Sequence, residues 1–169
     1  MYKALFPFAC MSFLCVTAFS QTAQEYYNAG ITKFSNNDYT GAIKAFDKCI
    51  GGDAHNAAAY YYRGIVKYTV QDYRGAIRDE NKAAQIDNLF AGAFMVRGNA
   101  KKELADYKGA LNDYNKVLAL QPNNRIAYYQ SGFIKRKLND TYGARTAWAK
   151  ANASGLDNTY DKLEDNEPE

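Results

Sequence analysis

The sequence predicts an all-α chain, an α-solenoid made of four copies of one helix–turn–helix unit. Three observations predict it. The pentapeptide "DYTGA" at Asp38 returns as "DYRGA" at Asp72, "DYKGA" at Asp106 and "DTYGA" at Asp140, a step of 34 residues each time. The pentapeptide closes on Ala42, Ala76, Ala110 and Ala144, and two further columns keep the step: Gly30, Gly64, Gly98 and Gly132; and Tyr26, Tyr60, Phe94 and Tyr128. Between the columns, apolar residues recur at helical spacing, as Tyr61, Ile65 and Tyr68 do on one face.

The elements follow in order. The first helices are predicted over about 23–36, 57–70, 91–104 and 125–138, and the second over about 39–51, 73–86, 107–120 and 141–153. Asp38, Asp72, Asp106 and Asp140 lie in the turn of each unit. There a carboxylate caps the second helix and favours its positive N-terminal end. The glycine and alanine columns mark where the two helices of a unit approach most closely, so that larger side chains would push them apart. Stacking identical units along one axis explains the strict interval.

The N-terminal stretch "MYKALFPFACMSFLCVTAFSQ" is set aside from the fold. One early lysine precedes an apolar run from Ala4 to Phe19 and then small residues, the order of a secretory signal peptide, 1–20, with Gln21 as the mature N-terminus. The run is interrupted by Pro7 and falls short of the ~20 apolar residues of a membrane span. An uncleaved N-terminal anchor is the alternative; a lipoprotein is disfavoured by the bulky Leu14 before Cys15. Cleavage removes Cys10 and Cys15 and leaves Cys49 alone, so no intramolecular disulfide staples the mature fold.

Composition narrows the function classes. The net charge is +3, from 21 basic and 18 acidic residues interspersed along the chain, which does not point to nucleic acid. The 23% of charged and 15% of aromatic residues are those of a folded chain. Catalytic and metal chemistry find no foothold. His55 is the one histidine and, with Cys49, makes no nucleophile–base pair. No Cys/His cluster has metal spacing, and the glycines are isolated rather than grouped in a phosphate loop. The reading is therefore a non-enzyme with no cofactor and no metal site. Two Asn-x-Ser/Thr sequons, at Asn139 and Asn152, matter only in a eukaryotic secretory pathway.

The period of 34 with these columns resembles the tetratricopeptide repeat, over residues 23 to 158. Repeats start at Ala23, Ala57, Ala91 and Arg125, giving 23–56, 57–90, 91–124 and 125–158, with an acidic tail at 159–169. The family's small eighth position falls on the four glycines and its small twentieth on the four alanines. Its large twenty-fourth position falls on Phe46, Glu80, Tyr114 and Trp148, and its late proline appears only as Pro122. Cys49 takes the small twenty-seventh position, where a buried structural thiol is expected. The resemblance implies a right-handed solenoid whose first helices line a concave groove for a peptide or protein segment. Carried over position by position, the groove residues are Tyr27, Ile31 and Phe34 in the first repeat and Tyr61, Ile65 and Tyr68 in the second. They continue as Met95, Asn99 and Lys102 in the third and Tyr129, Phe133 and Arg136 in the fourth. Exposed aromatics in one row suggest a binding surface; the alternative is that they pack between repeats. The chaperone-binding members clamp a peptide carboxylate with lysine and asparagine at fixed groove positions. Those positions here hold Tyr27, Ile31, Tyr62, Gly92 and Val96, so that clamp is missing.

Three departures carry expectations. Glu80, where an aromatic belongs, is a buried charge that needs a partner, and Arg97 is the candidate. Lys33, Lys67, Lys101 and Lys135 form a column that is either a ladder for an acidic partner or a set of stems packed on the helices with solvated heads. The tail around Tyr160 to Leu163 is a capping helix or a solvated end. The functional reading is a protein-interaction scaffold, exported, most simply to a bacterial periplasm, with secretion or N-terminal anchoring as alternatives. Its partner is a protein or peptide, and after signal cleavage it is not an integral membrane protein. Self-association as a homo-oligomeric structural component, or a regulatory subunit of an envelope complex, is the competing reading.

Overall fold

The computed structural model describes residues 9–153, with side chains from Thr22 onward. The tail at 159–169 and the first residues of the expected signal segment lie outside the described residues. Eight helices run in the order α1 (Ala9–Ser35), α2 (Tyr39–Gly52), α3 (Ala57–Thr69), α4 (Tyr73–Ile86), α5 (Ala91–Glu103), α6 (Tyr107–Leu120), α7 (Arg125–Lys137) and α8 (Thr141–Ala153). No strand occurs among the described residues. They form four helix–turn–helix pairs, the all-α solenoid class, in two compact units that divide after Asp87. In the first unit α1 packs on α2 and α3 on α4, with α3 also against α1 and α2; in the second, α5 packs on α6, α6 on α7 and α7 on α8. α1 starts well before the predicted Ala23, because no proline or glycine interrupts the chain from Ala9 to Ala29. No described helix is long and apolar enough to cross a membrane.

Each pair is locked where a large residue of the second helix lies on a glycine of the first. A Cβ on Gly30 would come 2.6 Å from the Phe46 ring, and one on Gly98 would come 2.8 Å from the Tyr114 ring. Gly132 faces the Trp148 indole in the same way, and Gly64 faces the Glu80 carboxylate. The glycines therefore make room for a side chain rather than for a backbone. Phe46, Glu80 and Tyr114 are fully buried, as are Ala42, Ala76 and Ala110 of the alanine column. Polar tips are met: Tyr114 Oη donates to Asn99 Oδ1 at 2.8 Å, and Trp148 Nε1 donates to the Tyr129 carbonyl at 3.2 Å.

The turns repeat as faithfully. Asp38, Asp72 and Asp140 each accept the backbone N–H of the glycine three residues on at 2.8 Å, and Asp106 does so at 3.0 Å. This is an N-cap. A side chain on that glycine would collide with the same carboxylate, so the glycine of the pentapeptide serves the cap. Just before each aspartate, Asn37, Gln71, Ala105 and Asn139 adopt φ of 61°, 65°, 59° and 62°. In the first turn Asn37 N–H bonds the Phe34 carbonyl at 2.9 Å and Asp38 N–H bonds that of Lys33 at 2.8 Å, and the other three repeat the pattern. These are Schellman closures of the first helices. One aspartate thus ends one helix with its backbone and starts the next with its side chain.

Ala105 is the least suited of the four to a left-handed conformation, which costs an ordinary residue about 1–2 kcal/mol. Ala105→Gly should therefore stabilise the chain by about 0.5–1 kcal/mol after the added freedom of the unfolded state. Asn37→Gly should gain less, because asparagine tolerates that region. Urea denaturation of the two variants checks the order.

Candidate functional site

The groove row lies on the first helix of every pair, and each unit presents its own portion. In the first unit Tyr27, Ile31 and Phe34 on α1 pack against the core cluster around Phe46, together with Tyr39 and Ile43. Tyr27 meets Phe46 edge-on at 6.1 Å between ring centroids and Tyr62 at 5.8 Å, so it joins α1 to α3. Tyr61 contacts Tyr62 at 5.2 Å, Tyr68 contacts Tyr73 at 5.5 Å, and Phe34 contacts Tyr39 at 6.1 Å. Burial, then the charge of Glu80, then Tyr62 raise the Tyr61 phenol above its ordinary pKa, so it remains a neutral hydroxyl. Burial and the neighbouring Tyr62 do the same to Tyr27. With Ile65, this face is aromatic and aliphatic and carries no charge among its six groove residues.

The second unit's portion differs in chemistry. Met95 and Phe133 pack against the cluster of Ala110, Tyr114 and Ile134. Lys102 reaches from α5 to α7, with its ammonium 3.3 Å from Gln130 Oε1 and 5.8 Å from the Phe133 ring centre. Lys137 stands 5.7 Å from that ring, so two cations flank Phe133. Asn99 accepts the Tyr114 hydroxyl, and Arg136 is exposed. All twelve groove residues except Arg136 are half-buried, and the row is less open than its spacing predicts. The reason is visible in Tyr27 and Phe133: positions that face outward from one helix pair also pack on its core or reach the neighbouring first helix.

The structure adds charged clusters that the sequence reading missed. Arg63 Nε and Nη2 donate to the two Asp79 oxygens at 2.9 and 2.6 Å, and Lys67 Nζ lies 2.8 Å from Asp79. In the next repeat Arg97 forks onto Asp113 at 3.0 and 2.5 Å, with Lys101 at 2.8 Å. Burial works against the Arg63 charge, but the bonds and charge of Asp79, backed by Asp47, raise its pKa. Three of the four lysines of the column are thus tied to the chain's own acids, Lys67 and Lys101 to these aspartates and Lys33 to Asp38 at 3.0 Å. The signal was in the sequence. The seventh and twenty-third residues of the repeats change together, Ala29 with Ala45, Arg63 with Asp79, Arg97 with Asp113 and Ser131 with Ala147.

Cys49 is fully buried, and burial, then the Asp53 charge, push its thiol pKa up, the opposite of what a nucleophile needs. His55 is an exposed loop residue whose backbone N–H bonds Asp53 at 3.0 Å. No group of three or more His, Cys, Asp or Glu side chains fit for a metal ion occurs among the described residues. The arrangement offers contact surface and charge.

Asp113 is buried while Asp47, which meets Arg63 Nη1 at 2.6 Å, is half exposed. Asp113→Asn should therefore destabilise the chain by about 1–3 kcal/mol, against at most about 1 kcal/mol for Asp47→Asn. Thermal melts at one ionic strength compare the two.

Comparison with known proteins agrees with this geometry. The tetratricopeptide repeat model matches residues 23–56 and 91–124. The first TPR of Spaghetti (RPAP3), solved bound to the HSP90 peptide SRMEEVD, is 28% identical, covers 71% of this chain and 95% of its own, and superposes with a TM-score of 0.70. The second TPR domain of human RPAP3, in complex with the HSP70 peptide SGPTIEEVD, is 27% identical, with coverage of 71% and 98% and a TM-score of 0.65. MamA is similar in fold, with a TM-score of 0.77, 18% identity and coverage of 88% and 89%. No curated protein matches the chain in sequence.

Proposed function

We propose that this chain, a tetratricopeptide-repeat protein in its fold and in the two repeats that the family model matches, is a scaffold that binds a peptide or protein segment on its first-helix face. The observation that carries the reading is the uncharged aromatic face of the first unit, Tyr27, Phe34, Tyr61 and Tyr68 with Ile31 and Ile65, half-buried and still accessible on α1 and α3. Such rows supply large rigid contact area, and binding energy concentrates in a few aromatic anchors. Structurally similar domains solved with peptides support it. Those peptides end in acidic EEVD sequences. Here the clamp positions hold Tyr27, Ile31, Tyr62, Gly92 and Val96, which lack the cations that would receive a terminal carboxylate. The proposed ligand is therefore an apolar or aromatic segment rather than a heat-shock C-terminus.

Peptides selected on the immobilised full chain test this. Tyr61→Ala or Tyr129→Ala should weaken the best binder by roughly 2 kcal/mol, about 30-fold. The circular-dichroism spectrum and melting temperature should stay nearly fixed. Loss of folding together with binding would assign these rings to the core, and unchanged binding would move the site elsewhere.

Export to a periplasm is part of the same proposal and rests on the apolar stretch before Gln21. Intact-mass analysis of the exported form should find Gln21 at the N-terminus, and retention of residues 1–20 would contradict cleavage.

A further inference from the structure

The inner repeats each keep a carboxylate of their own in one place on the helix pair. Asp79 lies between Arg63 and Lys67, and Asp113 between Arg97 and Lys101. The outer repeats lack both the arginine and the aspartate, replaced by Ala29 and Ala45 in the first and by Ser131 and Ala147 in the fourth. They retain the lysine, as Lys33 and Lys135, and a second lysine column, Lys48, Lys82, Lys116 and Lys150, runs beside it. Where the large charged pair is gone, a cleft opens, about 490 Å³ in the first repeat and about 270 Å³ in the fourth. Each has a tyrosine under a lysine, Lys48 at 5.1 Å from the Tyr26 ring centre and Lys150 at 5.5 Å from that of Tyr128.

The two clefts differ in how their charge is met. In the first repeat Lys33 pairs with the capping Asp38 at 3.0 Å, and that aspartate lines the cleft. In the fourth, among the described residues, no acidic side chain lines the cleft and Lys135 has no ion-pair partner. Ser131 also lines it. That residue is 2% exposed, and its hydroxyl has no hydrogen-bond partner among the described residues. A buried hydroxyl without a partner is costly, and rotation about one side-chain bond can offer it to a ligand in the cleft.

We propose that the cleft between α6, α7 and α8 binds the carboxylate side chain of an acidic partner segment, where the inner repeats hold their own aspartate. Lys135 supplies the charge-assisted hydrogen bond and Ser131 a neutral donor, with Lys150 in the wall of the cleft. The missing Asp at Ala147 leaves both the volume and the positive charge that the ligand fills. This site uses Tyr128, Ser131 and Lys135 of α7, whereas the groove face uses Tyr129, Phe133 and Arg136, so either proposal stands if the other fails.

The test is an amide NMR titration of the full chain with a blocked tetraglutamate peptide, a blocked tetraglutamine peptide and inorganic phosphate. Tetraglutamate should move the Ser131, Lys135, Ala147 and Lys150 resonances saturably, and tetraglutamine should not. Lys135→Gln should weaken that binding roughly tenfold or more, the loss of one charge-assisted bond. Ala147→Asp, which rebuilds the inner-repeat arrangement, should abolish it with the helical spectrum intact. Tetraglutamate that leaves these resonances still, or binds both variants as tightly as the parent chain, would overturn the site. Phosphate moving them where tetraglutamate does not would overturn the choice of carboxylate. Changing the acids of residues 157–169 to their amides supplies the last arm. If that change alone moves the four resonances, the chain's own tail is the occupant and the partner assignment fails.

Discussion

The absence of a Cβ at Gly30, Gly64, Gly98 and Gly132 is the constraint on which the rest of each repeat depends. Only there can the second helix lay a ring, or in one case a carboxylate, against the first helix. That seating buries Phe46 and Tyr114 completely and brings Ala42 and Ala110 into the core. It also fixes which residues of the first helix face outward. Tyr61 and Tyr68, three residues before and four after Gly64, flank its face of the helix, and Ile65 is turned about 100° from it. The candidate groove thus borders the helix-pair contact, which is why its residues are half-buried.

Charge is handled by the same geometry. Asp79 and Asp113 sit one residue before the large side chain that covers the glycine, so they emerge at the edge of the helix-pair contact. Arginine and lysine from the facing helix meet them there, with a lysine one turn beyond the arginine. Glu80 occupies the seat itself and is fully buried. Burial first, and then the Glu80 charge, push the Tyr61 phenol up in pKa in the one repeat without an aromatic in the seat. Arg97, the partner expected for Glu80 from sequence, forks onto Asp113 of its own repeat.

Most of the fold is legible in the sequence because the chain states it four times. A column such as Asp38, Asp72, Asp106 and Asp140 needs no structure to be read as a cap, and every second helix ends within a residue of its predicted bound. The left-handed residues were not legible. Asn37 and Asn139 are of a type that tolerates the left-handed region, but Gln71 and Ala105 are not, because the Schellman hydrogen bonds are made by backbone and do not select one side chain. The arginine–aspartate clusters were hidden for another reason. They occur in only two repeats, and their partners lie sixteen residues apart, so they show only when the seventh and twenty-third positions are compared as a pair. The degree of burial of the candidate groove row depends on contacts such as Tyr27 with Tyr62, which join two repeats and follow from no single one.

The seating of a ring on a glycine is the claim from which the groove, the caps and the clusters take their positions, and NMR tests it directly. The Hα that stands where a Cβ would point faces the Phe46, Tyr114 or Trp148 ring at Gly30, Gly98 and Gly132, and the Glu80 carboxylate at Gly64. The first three glycines should each show one Hα resonance displaced by the ring current, with a cross-relaxation contact to that ring, and Gly64 should show neither with residue 80. Four glycines with equivalent, undisplaced Hα resonances would contradict the helix pairing on which the whole account is built.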